Sequence, residues 1–109
     1  MTREQPRLKT ELRVSAHIRR AQGEGGFAAI ARRGDPDAGA VAVKVYMGAR
    51  KARLFIQSRD LDGQMIWREP FEDELSEEKI DRWLAKEIAI DPDLWIVEIE
   101  DREGRAFLE

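Results

Sequence analysis

Residues 27–69 read FAAIARRGDPDAGAVAVKVYMGARKARLFIQSRDLDGQMIWRE, and the fold turns on how this stretch is punctuated. Phe27–Arg33 is a first strand signal. Gly34-Asp35-Pro36-Asp37-Ala38-Gly39 then breaks it: Pro36 fixes φ and lacks an N–H, the aspartates can bond nearby amides, and the glycines permit positive φ. Ala40–Met47 places Val41, Val43 and Val45 on one face, Lys44 and Tyr46 on the other. After Gly48, Lys51–Arg59 alternates Leu54 and Ile56 against Arg53, Phe55 and Gln57. Asp62-Gly63 is a strong hairpin signal, and Gln64–Glu69 is a short strand that Pro70 ends. Four sequential strands with short connections predict an antiparallel meander.

Upstream, residues 1–7 are polar with Pro6 and are expected to fray. Residues 8–22 are ambiguous. Leu12, Val14, Ala16 and Ile18 alternate with Arg13, Ser15, His17 and Arg19 as in a strand, yet Leu12/Ala16 and Val14/Ile18 also have helical spacing. Arg19 and Arg20 followed by Gly23-Glu24-Gly25-Gly26 resemble a helix C-terminus, which favours a helix over 10–22.

Downstream, Ser76 is an N-cap candidate, and Glu77 and Glu78 suit the positive end of a helix dipole. Ile80, Trp83, Leu84 and Ile88 form one apolar stripe, read as a core face to which Trp67 and Trp95 also belong. Asp91-Pro92-Asp93 ends the helix. Leu94–Glu100 is the strongest strand, Asp101–Gly104 a turn, and Arg105–Leu108 a segment expected to pair back as a final hairpin strand. The expectation is a single α+β domain over 8–109. It has an antiparallel sheet of five to six strands, a meander plus a C-terminal hairpin, with two helices packed mainly on one face.

Charge is unevenly distributed. Residues 1–54 carry 12 Lys+Arg against 5 Asp+Glu, and residues 55–109 carry 7 against 17, so the net −3 conceals halves of +7 and −10. Charged residues make up 38% of the chain, above the ~25% of ordinary soluble domains, which a large surface can absorb. The chain has no cysteine, which removes disulfides, thiolate metal sites and cysteine nucleophiles. No apolar run approaches the ~20 residues of a membrane span, and MTREQPRLKT lacks the apolar core of a signal peptide. A cytoplasmic protein with no membrane association is expected.

RRGDPDAGAVAVKV and DPDLWIVEIEDREGRAFL resemble the two signature stretches of a family of small bacterial proteins, domain of unknown function 1491, and SRDLDGQMIWRE is similar in style. The resemblance runs from about Leu8 to Leu108. It implies a stand-alone bacterial domain and carries no activity or functional residue with it.

Catalytic constellations are sparse. His17 is the only histidine, and none of Ser15, Ser58 and Ser76 sits in a Gly-x-Ser-x-Gly elbow; a half-exposed helical histidine is the plainer account. One histidine and no cysteine disfavour zinc. Metal-dependent nucleases pair Pro-Asp with Asp/Glu-x-Lys, but Ala42 precedes Val43-Lys44 where the acid belongs, and Glu98-Ile99-Glu100 supplies no lysine. Asp93, Glu98, Glu100 and Asp101 could hold a hard cation or act as acid and base, or could simply line a solvated strand face. Gly23-x-Gly25-Gly26 lacks the Lys-Ser/Thr of a phosphate-binding loop.

The basic half offers a different possibility. If the second and third strands are neighbours, Lys44 and Tyr46 are expected on the same side as Arg53 and Phe55, with Arg32 and Arg33 near the ends. Cations interleaved with aromatics can bind single-stranded nucleic acid. The acidic pI of about 5.3 and the missing aromatic RNA-binding signature argue against it. The leading expectation is a non-enzymatic protein-interaction or self-association module. A polyanion binder using Arg32, Arg33, Lys44, Tyr46, Arg53 and Phe55 is the alternative. A metal-dependent hydrolase using the 91–101 acidic segment comes third. No cofactor is implied.

Overall fold

A computed structural model of the chain describes residues 9–72 and 75–108. The expected frayed segment 1–7 lies outside the described residues. In chain order the elements are α1 (Thr10–Gly23), β1 (Phe27–Arg32), β2 (Val41–Gly48), β3 (Lys51–Arg59), β4 (Met65–Arg68), β5 (Leu75–Ser76), α2 (Glu77–Ile90) and β6 (Trp95–Glu100). The helical choice over 10–22 holds, and Ser76 caps α2 by accepting the Lys79 N–H at 3.3 Å.

The α+β class holds: two helices pack on a six-stranded, mostly antiparallel sheet. The order is β1-β6-β2-β3-β4, with β5 beside β3. Only β2, β3 and β4 form the expected meander. Strand β6 enters between β1 and β2, antiparallel to β1 and parallel to β2. The reason lies in burial. Val41, Ala42, Val43, Lys44 and Val45 are all buried, as are Trp95, Ile96, Val97 and Ile99, so β2 and β6 are central strands covered on both faces. The long Gly-and-Pro-containing connection from β1 to β2 spans the inserted strand, where a tight hairpin turn could not.

Both edges of β6 are therefore occupied, so Arg105–Leu108 cannot pair back onto it. That segment is not a hairpin strand; it runs against α1, where a His17 ring nitrogen meets the Ala106 carbonyl at 2.7 Å and Arg20 donates to the Phe107 carbonyl at 2.8 Å.

The core has two parts. Val14, Ile18 and Ala21 of α1 pack on the side carrying Val41, Val43, Val45, Trp95, Val97 and Ile99, with Trp67 half-buried against them. Ile80, Leu84, Trp83 and Ile88 of α2 pack with Ala42, Ala52, Leu54 and Ile96. Alternate residues of β2 and β6 serve the two clusters, so each helix covers its own side of the sheet.

Candidate interaction surface

The pairing register decides what the basic half can do. Lys44 sits opposite Leu54, and Val45 opposite Arg53. Lys44 and Tyr46 thus face α2, while Arg53 and Phe55 face the other side, and the expected shared row does not form. Lys44 is almost fully buried, with Nζ 2.8 Å from Glu77 and from Asp81 and 4.0 Å from Glu98. Burial alone would push its pKa down; hydrogen bonds to Asp81 and Glu77 and the charge of Glu98 outweigh that and hold it above the ordinary lysine value.

The other cations are engaged too. Arg53 makes a two-pronged pair with Glu69 at 2.8 Å, donates to the Gly104 carbonyl and stacks over Phe55. Arg32 donates to the carbonyls of Pro92 and Leu94 at 2.9 and 2.7 Å. Arg33 pairs with Glu11 and lies over the Trp95 ring. The Tyr46 hydroxyl accepts the Arg50 N–H at 3.4 Å.

The acidic candidates are likewise dispersed. Glu98 serves Lys44, and Glu100 is exposed at the end of β6. Asp101 accepts three side-chain hydrogen bonds and a backbone one from Arg105, which hold its carboxyl below the usual range. Exposed Asp93 contributes its backbone, its carbonyl accepting the Asp35 N–H at 3.0 Å. Among the described residues no group of three or more histidine or carboxylate side chains could hold a metal ion. His17 is buried rather than half-exposed, edge-on to Trp67 at 6.0 Å, because it joins α1 to the C-terminal segment.

The two Asp-Pro-Asp turns meet in one corner. Trp95 Nε1 donates to the Asp35 carbonyl at 2.7 Å, and Asp35 Oδ2 accepts the Ala38 N–H. The first two amides of α1, those of Thr10 and Glu11, donate to the carbonyls of Asp37 and Pro36. Buried Thr10 Oγ1 donates to the Gly39 carbonyl at 2.9 Å. The loop thus caps the helix in place of a side chain. Gly34 and Gly39 are required by proximity: a Cβ on either would lie 2.0 or 2.3 Å from the Asp93 carbonyl oxygen. The corner is filled by the protein itself.

Of the sheet's two edge strands, β1 and β4, β1 is the one whose exposed residues from Phe27 to Ala31 carry no charge. Among the described residues no strand pairs with its outer edge. Phe27, 64% exposed, lies with exposed Ala29 and Ala31 along an open hollow of about 300 Å³, bordered by Glu98 and Glu100. From the sequence β1 is expected as one strand of a meander, with no role for these residues. Their uncharged run FAAIA was visible, but edge position became legible only with the insertion of β6.

One mixed sheet, a helix on each side and a self-filled turn corner define the class, a small α+β domain. The chain belongs to the DUF1491 family of small bacterial proteins, whose description is "protein of unknown function", with residues 8–109 matched. It is similar to a DUF1491 family protein from Caulobacter crescentus CB15 in two solved structures. The crystal structure gives 46% identity and TM-score 0.85 over 94% of this chain and 95% of that one. The NMR structure gives 46% and 0.82 over 93% and 92%. The solution structure of a protein from A. tumefaciens gives 32% and 0.80 over 94% and 93%. No curated protein matches the chain.

Proposed function

We propose that the domain is a protein-interaction module that docks a partner along β1. The observation that supports this best is an unpaired edge strand whose Phe27, Ala29 and Ala31 are exposed beside a row of two carboxylates. Edge strands are normally protected by charges, proline or a covering element, because their free amides and carbonyls template further pairing. From Phe27 to Ala31 this strand has no charge and no proline; its one irregularity is a register shift between Ile30 and Arg32. Polyanion binding has less support, since Lys44, Arg53 and Arg33 are each paired with carboxylates.

Photo-crosslinking in bacterial cells tests the reading. A probe replacing Phe27 or Ala29 is expected to give discrete adducts identifiable by mass spectrometry, absent for a probe at fully exposed Leu61. Equal yields at all three positions would end it.

A further inference from the structure

We infer that the partner at β1 is a second copy of this chain, its β1 paired antiparallel to the first and centred on Ala29. The inference rests on the reading of β1 as the docking edge and supplies its occupant. Three features of the strand make it complementary to itself.

The first is the hydrogen-bonding edge. The Ala28 carbonyl is met by a side chain, Gln22 Nε2 at a long 3.4 Å, and not by a strand. Pairing centred on Ala29 sets Ala28 against Ile30 of the second copy, so that carbonyl would accept a backbone N–H instead. The Gln22 contact is long enough to be displaced readily.

The second is size. With Ala29 on the axis, Phe27 of each copy lies opposite Ala31 of the other, on the α2 side of the sheet, where Phe27 is exposed. A large side chain meets a small one at both ends, and Phe27 gains cover from water. An isologous contact needs this self-complementarity.

The third is charge. One end of β1 is acidic, with Glu100 directly across from Phe27 and Glu24 just upstream. The other end carries Arg32, whose partners, the Pro92 and Leu94 carbonyls, are neutral. Antiparallel pairing brings the cationic end of each copy to the acidic end of the other. The two Glu98/Glu100 rows stay three strand spacings apart, about 14 Å, beyond the screening length at physiological salt. The outcome is one continuous sheet through both copies, with the two α1 helices on the same side of it.

The chain has no cysteine, so an Ala29→Cys variant carries a unique thiol. In the proposed register the two thiols face each other across the axis at a separation a disulfide can close. Mild oxidation should convert Ala29→Cys to a covalent dimer at least ~10-fold faster than Leu61→Cys. A mixture of Phe27→Cys and Ala31→Cys chains should give the heterodimer in preference to either homodimer. Sedimentation velocity on the unmodified chain from about 10 μM to 1 mM should show a shift towards dimer that Phe27→Glu abolishes. A monomer throughout, with Ala29→Cys oxidising no faster than Leu61→Cys, overturns the inference. If Phe27 and Ala29 probes in cells then yield adducts to a different polypeptide, the second copy is excluded and the docking edge stands. If they yield none, both fall.

Discussion

Lys44→Met should destabilise the protein by about 2 kcal/mol, and the reason can be worked from the geometry. Methionine keeps the length of the side chain and removes the ammonium. What remains is Glu77, Asp81 and Glu98 gathered around a neutral group on a buried strand position. A charge-assisted hydrogen bond is worth roughly 1.5–3 kcal/mol in partly buried surroundings. Glu77 and Asp81 are 32% and 54% exposed, so solvent screening brings each down to about 1–1.5 kcal/mol. Glu98 at 4.0 Å adds about 0.5 kcal/mol. Those figures are net of burying the ammonium, and against them stands roughly 1 kcal/mol from the apolar methionine tip that takes its buried place. The net of about 2 kcal/mol corresponds to a urea midpoint lower by ~1 M and a Tm lower by ~8 °C for a domain of this size.

The pH dependence of that difference has a definite sign. The folded-state pKa of Lys44 is raised, so its contribution is complete below the ordinary value of 10.5 and disappears as pH rises through the higher folded value. The gap between wild type and Lys44→Met should stay constant from pH 7 to 9 and close only above about 10.5. Adding Asp81→Asn to Lys44→Met should restore about 1 kcal/mol by relieving repulsion between carboxylates. A Lys44→Met protein within 0.5 kcal/mol of wild type at pH 7, or a gap closing below pH 9, would refute the picture of a clamped ammonium.

Other changes have equally direct readouts. Gly34→Ala should cost more than ~3 kcal/mol in thermal unfolding, because its new Cβ meets the Asp93 carbonyl, a backbone atom that cannot swing aside. Gly23→Ala, at the open end of α1 with nothing within 4 Å, should stabilise by about 0.5 kcal/mol. Asp101→Asn should lower the urea midpoint at pH 7 and flatten the loss of stability below pH 4. The depressed carboxyl contributes above its ordinary pKa of 3.8, and that contribution is lost as pH falls through the lower folded value. Labelled oligothymidylate at about 20 mM salt should show no salt-sensitive anisotropy change, since Arg33, Lys44 and Arg53 are already paired with carboxylates.

The local signals in the chain were reliable where one element's own residues determine its state. Ser76 before Glu77 and Glu78, the stripe Ile80–Leu84–Ile88, and Asp62-Gly63 each specify a start, a face or a turn within a few residues, and each stands in the structure. Strand order was not legible, because nothing local to Phe27–Arg32 says that its neighbour is β6, more than sixty residues away. One clue was present in Val41–Val45. Ala42 makes the run apolar on both sides, the mark of a strand covered twice, but Lys44 and Tyr46 on the second side made it read as half-buried. A lysine held by three carboxylates from α2 and β6 imitates a surface lysine in sequence. The same long-range placement hid the candidate site: only an edge strand needs an explanation for Phe27, and β1 is an edge only because β6 took its inner side.

The opposition of a basic first half and an acidic second half resolves through that topology. Strand β6 carries Glu98 and Glu100 into the middle of the first half's strands, and the acidic first turn of α2 settles over Lys44, while Glu69 returns to Arg53. An order in which β1 and β2 were neighbours would have left the two halves side by side as separate regions of opposite sign. The insertion interleaves them instead, so attractive pairs form within one molecule and the long-range field that steers polyanions is reduced. Along β1 compensation is incomplete: Arg32 is held by carbonyls, and Glu100 stands exposed at the opposite end. The residual polarity therefore runs lengthwise along a strand whose outer edge also lacks a pairing partner. A charge gradient along an unpaired strand edge selects an antiparallel neighbour of like composition, and a second β1 has that composition by identity.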